Sequence, residues 1–337
     1  MRVFLTGGTG LIGSHVAERL RGRGDQVVAL ARARSDTAFL DGLGCTLADG
    51  DVRDAPEALA RAMAGCDAVV HAAALVYAGD TWPKVRAINV EGVAHVIGAA
   101  AVARVPHVVH LSSVAVYGPV QGPVDEDTPT DTPLAHGDLY ARSKREAEIA
   151  ARRAAAEGGA LLTMIRASAV YGERDRLLAP KVGTLTRLPI VPVVGGGKNA
   201  LPIVYAGNVA SAIVLCLDRP PERSPRILDV GFDQPLSQEG LMLGMGRALG
   251  HVPRLVHIPG GLVQGAADLG ERIGLSVPGA SGLSLDRFAR LTLGENPYPS
   301  RRIRRDLGWE PPFGHDEGLA RTGAWLRTER RKARRRA

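Results

Sequence analysis

The chain has 337 residues, of which 45% are hydrophobic, and it carries a formal net charge of +7. This length is sufficient for two domains with a sizeable core, and no run approaches the ~18 apolar residues that a membrane-spanning helix needs. Residues 327–336 hold +6 of the charge, so the rest of the chain is nearly neutral and no specific nucleic-acid partner is expected.

The first predicted element is a buried strand at residues 3–5, which leads into a glycine-rich turn and a helix. Glycines at this spacing turn the chain tightly and leave no Cβ between the backbone and a pyrophosphate, so the helix N-terminus can face the phosphates. The apolar residues that follow recur at helical spacing. The pattern predicts a dinucleotide-binding site, and its candidate cofactor contacts are Gly7, Gly10, Leu11, Ile12 and Gly13.

Three further apolar segments predict the next strands, over residues 26–31, 45–48 and 67–74. The last segment ends in Ala72, Ala73 and Ala74, which are small enough to leave room for a flat cofactor. Open parallel sheets bind ligands at these carboxyl ends of their strands. The alternation of strands and helices predicts an α/β fold of the Rossmann type, with a doubly wound parallel sheet and a smaller C-terminal substrate lobe.

The residue after the second strand bears on the choice of cofactor. NAD enzymes of this fold usually place an acidic residue there, whereas an arginine accommodates the 2′-phosphate of NADP. Here the position holds Arg32, and the first acidic residue, Asp36, comes later. The sequence therefore favours NADP over NAD, although an exposed arginine that stacks on adenine without selecting a cofactor would give the same pattern.

The same alternation then predicts a helix over residues 84–103, strands over 107–111 and 161–166, and a helix over 138–157. Tyr140 and Lys144 lie one turn apart in the last helix, so the phenol and the ammonium share a face. Hydride transfer to or from a carbinol carbon needs a group that exchanges the hydroxyl proton, and a nearby ammonium lowers the pKa of a phenol toward neutral pH. Ser113, beyond the 107–111 strand, can donate a hydrogen bond to the same substrate oxygen.

Seven segments follow one known pattern in order along the chain: residues 6–13, 50–52, 71–74, 89–92, 111–118 and 140–144, and Arg166 with 171–172. Through them the chain resembles the extended short-chain dehydrogenases/reductases, of the epimerase/dehydratase superfamily, up to about residue 327. In character it is most similar to the ketone reductases that resemble 3β-hydroxysteroid dehydrogenases.

The resemblance implies roles for individual residues. Ser113, Tyr140 and Lys144 would form the catalytic triad, and Lys144 would also hold the hydroxyls of the nicotinamide ribose. Asp51 and Val52 would line the adenine, and residues 72–74 would line the middle of the cofactor.

Two positions distinguish the chain from the sugar-modifying members of that family. Sugar dehydratases carry two acidic residues directly after the position of Ser113, where this chain has Val114 and Ala115. Epimerases usually bind the nucleotide diphosphate through an arginine at the position where this chain has Leu201. The resemblance therefore implies an oxidoreductase that interconverts a secondary alcohol and a ketone on a mainly hydrophobic substrate, sterol-like or β-keto acyl. A nucleotide-sugar epimerase with tightly bound NAD is the alternative.

The expected domain organisation is a Rossmann domain at residues 1–172 and a substrate lobe at 173–327 from which strands return to the main sheet. Apolar segments broken by glycine, at residues 255–270, 273–277 and 283–293, suit either a packed pair of helices or a hydrophobic cleft. The basic residues at 328–337 predict a disordered tail.

The three cysteines, Cys45, Cys66 and Cys216, are far apart and have neither disulfide nor metal spacing. This pattern favours a reducing cytoplasm and no metal site. Because a strand is predicted from residue 2, no signal peptide is expected. The expected partners are a small-molecule substrate and, as an open alternative to a monomer, a second copy of the chain in a homodimer.

Overall fold

The computed structural model describes residues 1–76, 81–120, 122, 124–135, 137–231, 234–262 and 298–336. The chain divides into two compact units. Unit 1 comprises Met1–Ser168, Ala206–Gly231 and Tyr298–Pro312, and unit 2 comprises Ala169–Tyr205, Phe232–Pro297 and Phe313–Ala337.

Unit 1 is built around one parallel sheet. Its strands are β1 (Arg2–Thr6), β2 (Gln26–Ala31), β3 (Thr46–Asp49), β4 (Ala68–His71), β5 (His107–Ser113), β6 (Leu161–Ala167) and β10 (Arg226–Val230). They pair in the order β10–β6–β5–β4–β1–β2–β3. The order reverses between β1 and β4, which is the point where doubly wound sheets bind ligands. The predicted fold class is confirmed.

The helices of unit 1 are α1 (Leu11–Gly22), α2 (Ala38–Gly42), α3 (Pro56–Ala62), α4 (Trp82–Arg86), α5 (Gly92–Val102), α6 (Leu139–Gly158), α8 (Ala206–Asp218) and α10 (Arg301–Leu307). Val3, Phe4 and Leu5 of β1 are fully buried. A parallel strand that is covered on both faces reads as a continuous apolar run, which is why this strand could be recognised in the sequence.

Unit 2 contains two short parallel strand pairs and three described helices. β7 (Ala169–Tyr171) pairs with β9 (Ile203–Tyr205), and β8 (Val191–Val194) pairs with β11 (Leu255–Ile258). The helices are α7 (Leu178–Leu185), α9 (Gln238–Ala248) and α11 (His315–Arg336). The first segment of unit 1 ends at Ser168, earlier than the predicted boundary at residue 172, because β7 pairs with β9 and not with the main sheet.

Three local predictions differ from the structure. The helix expected over residues 84–103 is interrupted by a π-helical turn at Ala87–Glu91, which separates α4 from α5. The strand expected over residues 67–74 ends at His71, so the three alanines leave the sheet. Where the sequence predicts a disordered tail from residue 328, α11 continues through Arg336. Arg, Lys and Ala are good helix formers, and Lys332 Nζ pairs with Glu329 at 2.8 Å.

Much of the predicted apolar lobe segment lies outside the described residues, namely residues 263–270, 273–277 and 283–293. Among the residues that are described, one helical stretch, Trp82–Val102, has the length and apolar character of a membrane span, and half of its most apolar window is buried inside the protein. The helices of a core pass the same test. The described part of the chain contains no cluster of potential metal ligands, and its three cysteines are free thiols.

Candidate active site

The predicted glycine turn joins β1 to α1 at the switch point of the sheet. Gly7 adopts a φ of +72°, and a Cβ on it would lie 2.6 Å from the backbone of Ala72 and Ala73. A Cβ on Gly13 would lie 2.1 Å from the Gly7 carbonyl oxygen. Only glycine therefore fits at these two positions, because the turn, the helix and the segment after β4 are in backbone contact.

Gly10, by contrast, is exposed and forms the N-cap of α1 without a capping side chain. Its N–H donates to the Gly7 carbonyl at 2.9 Å, which closes the turn. Leu11 and Ile12 form the first turn of α1, which contains no acidic residue. An open N-terminus of a twelve-residue helix, reached without a Cβ in the way, fits a pyrophosphate.

The segment after β4 is pinned to β1 by a threonine. Thr6 Oγ1 accepts a hydrogen bond from the Ala73 N–H at 3.2 Å and lies 2.7 Å from His71 Nδ1. Ala72, Ala73 and Ala74 are half-buried. The structure therefore places Ala72 and Ala73 against the glycine turn, with Ala74 next in the chain.

The residues predicted at the adenine end lie beyond β2 and β3. Arg32 is exposed after β2, and its charge helps to lower the pKa of the Asp51 carboxyl. The main cause of that lowering is Arg53, which holds the Asp51 carboxylate through bonds of 2.9 and 3.0 Å. The side chain of Val52 is 7% exposed and packs against Gly92. Sequence reasoning missed Arg53, although an Asp–x–Arg pair is a local signal.

Helix α6 begins where the sequence predicted, since Asp138 accepts a bond from the Ala141 N–H at 3.0 Å. Lys144 is 4% exposed, and its Nζ lies 5.9 Å from the centre of the Tyr140 ring. The same Nζ donates to the Leu111 carbonyl at 2.9 Å. The Tyr–Lys pair is therefore placed at the carboxyl end of β5.

Ser113 is the last residue of β5, two positions after Leu111. Its Oγ accepts a hydrogen bond from the Ala115 N–H at 3.2 Å, as the N-cap of a 3₁₀ turn at Val114–Tyr117. The structure thus brings Ser113, Tyr140 and Lys144 to one end of β5.

Burial lowers the pKa of Lys144 from 10.5 to about 8, against the opposite effect of the Glu148 carboxylate one turn later. An ammonium with little water around it acts on a neighbouring phenol more strongly than an exposed one. The arrangement can therefore support proton exchange by Tyr140.

A buried ionic network lies beside this site, and sequence reasoning did not find it. Arg166 is 2% exposed and binds the Glu148 carboxylate through two bonds of 2.8 and 2.7 Å. Glu148 also accepts a bond from the Ser112 hydroxyl at 2.7 Å. Arg166 donates in addition to the Tyr117 hydroxyl, which donates to the Asp229 carboxyl. Burial raises the pKa of Asp229 to about 7.

Two buried histidines, His71 and His110, are paired on the neighbouring strands β4 and β5. The rings of His71 and His110 stack with their centres 5.3 Å apart. Burial lowers the pKa of His71 to about 3 and that of His110 well below its usual value. Both imidazoles are therefore neutral, so they add no charge that would compete with the Lys144 ammonium.

Asn89 occupies the π-helical turn and faces the same region. Its side chain accepts from the Leu75 N–H at 2.7 Å and donates to the Leu75 carbonyl at 3.0 Å, and it also donates to the Ser143 hydroxyl at 3.0 Å. Asn89 thus ties the segment after β4 to helix α6. The π-helical turn orients this side chain toward Leu75 and Ser143. Such turns occur frequently at functional sites.

The sheet order and the glycine turn define an extended short-chain dehydrogenase/reductase fold. A family model described as the NAD dependent epimerase/dehydratase family matches residues 3–231. The chain belongs to this family and is an enzyme of the extended short-chain dehydrogenase/reductase type, with a nicotinamide dinucleotide as its class of cofactor.

Individual relatives extend over most of the chain. It is 29% identical to a 4-hydroxy-2-methyl-3-oxo-4-farnesyl-3,4-dihydroquinoline-1-oxide ketoreductase from Stigmatella aurantiaca, over 95% of each chain. It is 28% identical to a 3-beta-hydroxysteroid dehydrogenase from Mycolicibacterium neoaurum, over 95% of this chain and 89% of the relative. A solved structure of a dTDP-glucose 4,6-dehydratase from Streptomyces venezuelae with NAD bound is 26% identical, covers 98% of both chains and superposes with a TM-score of 0.75.

Proposed function

We propose that this protein is an NADP-preferring oxidoreductase that interconverts a secondary alcohol and a ketone on a mainly hydrophobic substrate, either sterol-like or a β-keto acyl compound. The observation that carries the proposal is the Lys144 ammonium, buried beside Tyr140 at the end of β5. Burying an ammonium costs free energy, and buried ionisable groups with shifted pKa values cluster at functional sites.

Each member of the triad has a chemical role that follows from its contacts. Tyr140 exchanges a proton with the substrate oxygen, and the Lys144 ammonium favours the phenolate that this exchange requires. Ser113 Oγ already accepts from a backbone N–H, so its own proton is available for the substrate oxygen. A bound nicotinamide supplies the chemistry of hydride donation or acceptance. In the glycine turn, Gly7, Gly10 and Gly13 would hold its pyrophosphate.

The preference for NADP rests on the charges beyond β2. Arg32 is exposed there, and the nearby Asp51 carboxylate is already paired with Arg53, so the Arg32 guanidinium is available to a 2′-phosphate. Arg32→Ala should weaken NADPH affinity by ~1.5–3 kcal/mol, the range for a hydrogen bond between charged groups, and leave NADH affinity nearly unchanged. Titration by fluorescence, with Arg34→Ala as the control, measures both. Equal losses for the two cofactors would show that Arg32 does not bind the phosphate.

The hydrophobic substrate class is supported by two relatives whose names denote reaction on a farnesylated ring ketone and on a hydroxysteroid. It is supported further by Val114 and Ala115, which lack the acidic groups used to eliminate water from a sugar. The second candidate is a nucleotide-sugar epimerase with tightly bound NAD, which the description of the matching family, NAD dependent epimerase/dehydratase, supports. Leu201, where epimerases usually have an arginine, is 9% exposed in the apolar core of unit 2.

The deciding experiment compares substrates and a triad variant. The purified enzyme is incubated with NADPH or NADH and hydrophobic ketones, or with UDP-glucose without added cofactor. Oxidation of NADPH by ketones is expected, and Tyr140→Phe should reduce turnover at least ~100-fold while retaining cofactor binding, the scale for a lost general acid. Interconversion of UDP-glucose and UDP-galactose would establish the epimerase, and a fully active Tyr140→Phe would refute the triad.

Three further expectations accompany this function. The enzyme works in the cytoplasm, where the three free thiols stay reduced. Its substrate is a small molecule, and light scattering of the purified protein measures whether the chain is a monomer or a homodimer. The substrate lobe lies mainly in residues 173–327, which truncation within that range would test.

A further inference from the structure

Unit 2 carries an unusual concentration of positive charge in three segments, residues 176–190, 240–262 and 323–336, which we call the basic region. They contain twelve lysines and arginines and a single acidic residue, Glu329, so their net charge is +11. The whole chain has a net charge of only +7, so the remainder is acidic overall. Asp175 and Glu239 adjoin the first two segments, and Glu239 pairs with the His257 ring, so most of the charge lies in the third segment.

The three segments contact one another although they are far apart in sequence. Arg330 of α11 donates to the Gly183 carbonyl in α7. The His251 ring, beyond α9, bonds to the Thr186 carbonyl at the end of α7 at 2.9 Å. Their cations therefore belong to one part of unit 2, and they include the exposed side chains of Arg187, Arg254, Arg327 and Arg331.

Large apolar side chains are exposed within the same region. Leu188 and Ile190 follow α7 and are 47% and 49% exposed, and Val252 follows α9 and is 76% exposed. The His251–Thr186 bond holds these two loops side by side. Arg187 and Arg254 flank the apolar residues in sequence, and both are exposed. The loops thus present apolar tips between cations.

We propose that the basic region is a docking surface for an anionic phospholipid bilayer. Peripheral proteins bind such membranes by inserting apolar side chains at the headgroup level while flanking Lys and Arg side chains attract the anionic lipids. Duplex nucleic acid would bind the cations, but it has no apolar layer into which Leu188, Ile190 and Val252 could insert. A lipid bilayer has such a layer and is therefore the better match. The inference is independent of the proposed catalytic function and requires no membrane-spanning segment.

The test measures binding of the full chain to phosphatidylcholine vesicles with and without phosphatidylglycerol, by flotation at low and high salt. One variant, Leu188→Ser/Ile190→Ser/Val252→Ser, removes the apolar tips. A second, Arg187→Gln/Arg254→Gln/Arg331→Gln, removes one cation from each segment. Matched controls in unit 1 are Val102→Ser/Ile149→Ser and Arg61→Gln/Arg153→Gln/Arg301→Gln, whose side chains are also exposed.

We expect salt-sensitive binding only to vesicles that contain phosphatidylglycerol. Removing three cations should weaken it by about a hundredfold, since each contributes roughly a factor of five at an anionic surface. The apolar variant should bind at least tenfold more weakly, and both controls should bind normally. Dinucleotide affinity, which depends on the glycine turn of unit 1, should stay unchanged in both test variants, so a loss of vesicle binding is distinguished from a loss of fold or of cofactor binding.

Three results would overturn the proposal. Equal binding to both vesicle types would show that the surface does not recognise the anionic lipid. Normal vesicle binding by the apolar variant would show that Leu188, Ile190 and Val252 do not insert into the bilayer. Tighter binding to duplex DNA than to vesicles, insensitive to the apolar substitutions, would assign the surface to nucleic acid.

Discussion

Replacing Lys144 with methionine tests whether the ammonium at the site is held in the folded protein at a cost in stability. Burial lowers the pKa of Lys144 from 10.5 to about 8, and this difference corresponds to about 3 kcal/mol at about 1.4 kcal/mol per pKa unit. Lys144→Met removes that cost, but it also removes the hydrogen bond to the Leu111 carbonyl, worth about 1–3 kcal/mol. At pH 7 the variant should therefore be inactive and more stable than the wild type by up to about 2 kcal/mol.

The pH dependence separates this cause from simple repacking. Below pH 8, Lys144 is protonated in both the folded and the unfolded chain, so its destabilising effect is fully present. Between pH 8 and 10.5 the folded protein has lost this proton and the unfolded chain still binds it, so wild-type stability rises with pH. Lys144→Met has no such titrating group, so its stability does not rise with it. The difference in the free energy of unfolding that favours the variant at pH 7 should therefore shrink as the pH rises, and then change sign.

Urea unfolding of both proteins without cofactor, at intervals from pH 7 to about pH 10, measures the difference directly. Lys181→Met, at an exposed lysine of α7, serves as the control and should show no such trend. A stability difference between Lys144→Met and the wild type that stays constant across this range would refute the reasoning, because it would mean that the pKa of Lys144 is not lowered by folding.

Two more substitutions test the surroundings of the site. Gly13→Ala places a Cβ in the backbone of the glycine turn and should lower dinucleotide affinity at least tenfold in a fluorescence titration, whereas Gly22→Ala, which meets no atom within 4 Å, should not. Glu148→Gln leaves the Arg166 cation buried with a neutral partner and should lower the free energy of unfolding by about 3–5 kcal/mol in urea; a loss below 1 kcal/mol, the scale of an exposed pair, would contradict the network.

Features that depend on neighbours in sequence could be predicted. The strand at β1 is marked by its apolar run, and the turn after it is marked by glycines that the backbone contacts require. The start of α6 follows from Asp138, which caps it, and its end from Gly159, which adopts a φ of +73°. The i, i+4 spacing of Tyr140 and Lys144 is also local, so the shared helix face could be inferred from the sequence.

Features that depend on partners distant in sequence could not be predicted. Arg166 meets Glu148 across 18 residues and Tyr117 across 49, and Tyr117 meets Asp229 across 112 residues. No periodicity marks such pairs, because each partner lies on a different strand, helix or turn. The contacts within the basic region are of the same kind, since α11 reaches α7 across 147 residues.

The buried network also fixes the position of helix α6 relative to the strands, and so the positions of the triad residues relative to one another. Glu148 lies one helical turn after Lys144, and it binds the hydroxyl of Ser112, the neighbour of Ser113. A single carboxylate therefore connects the helix that carries the phenol and the ammonium to the strand that carries the serine. The Arg166 guanidinium fixes that carboxylate from β6 with planar, bidentate geometry, which a lysine could not provide. Because two of the carboxylate's contacts are to different strands, a shift of α6 along the sheet would break several charged hydrogen bonds at once.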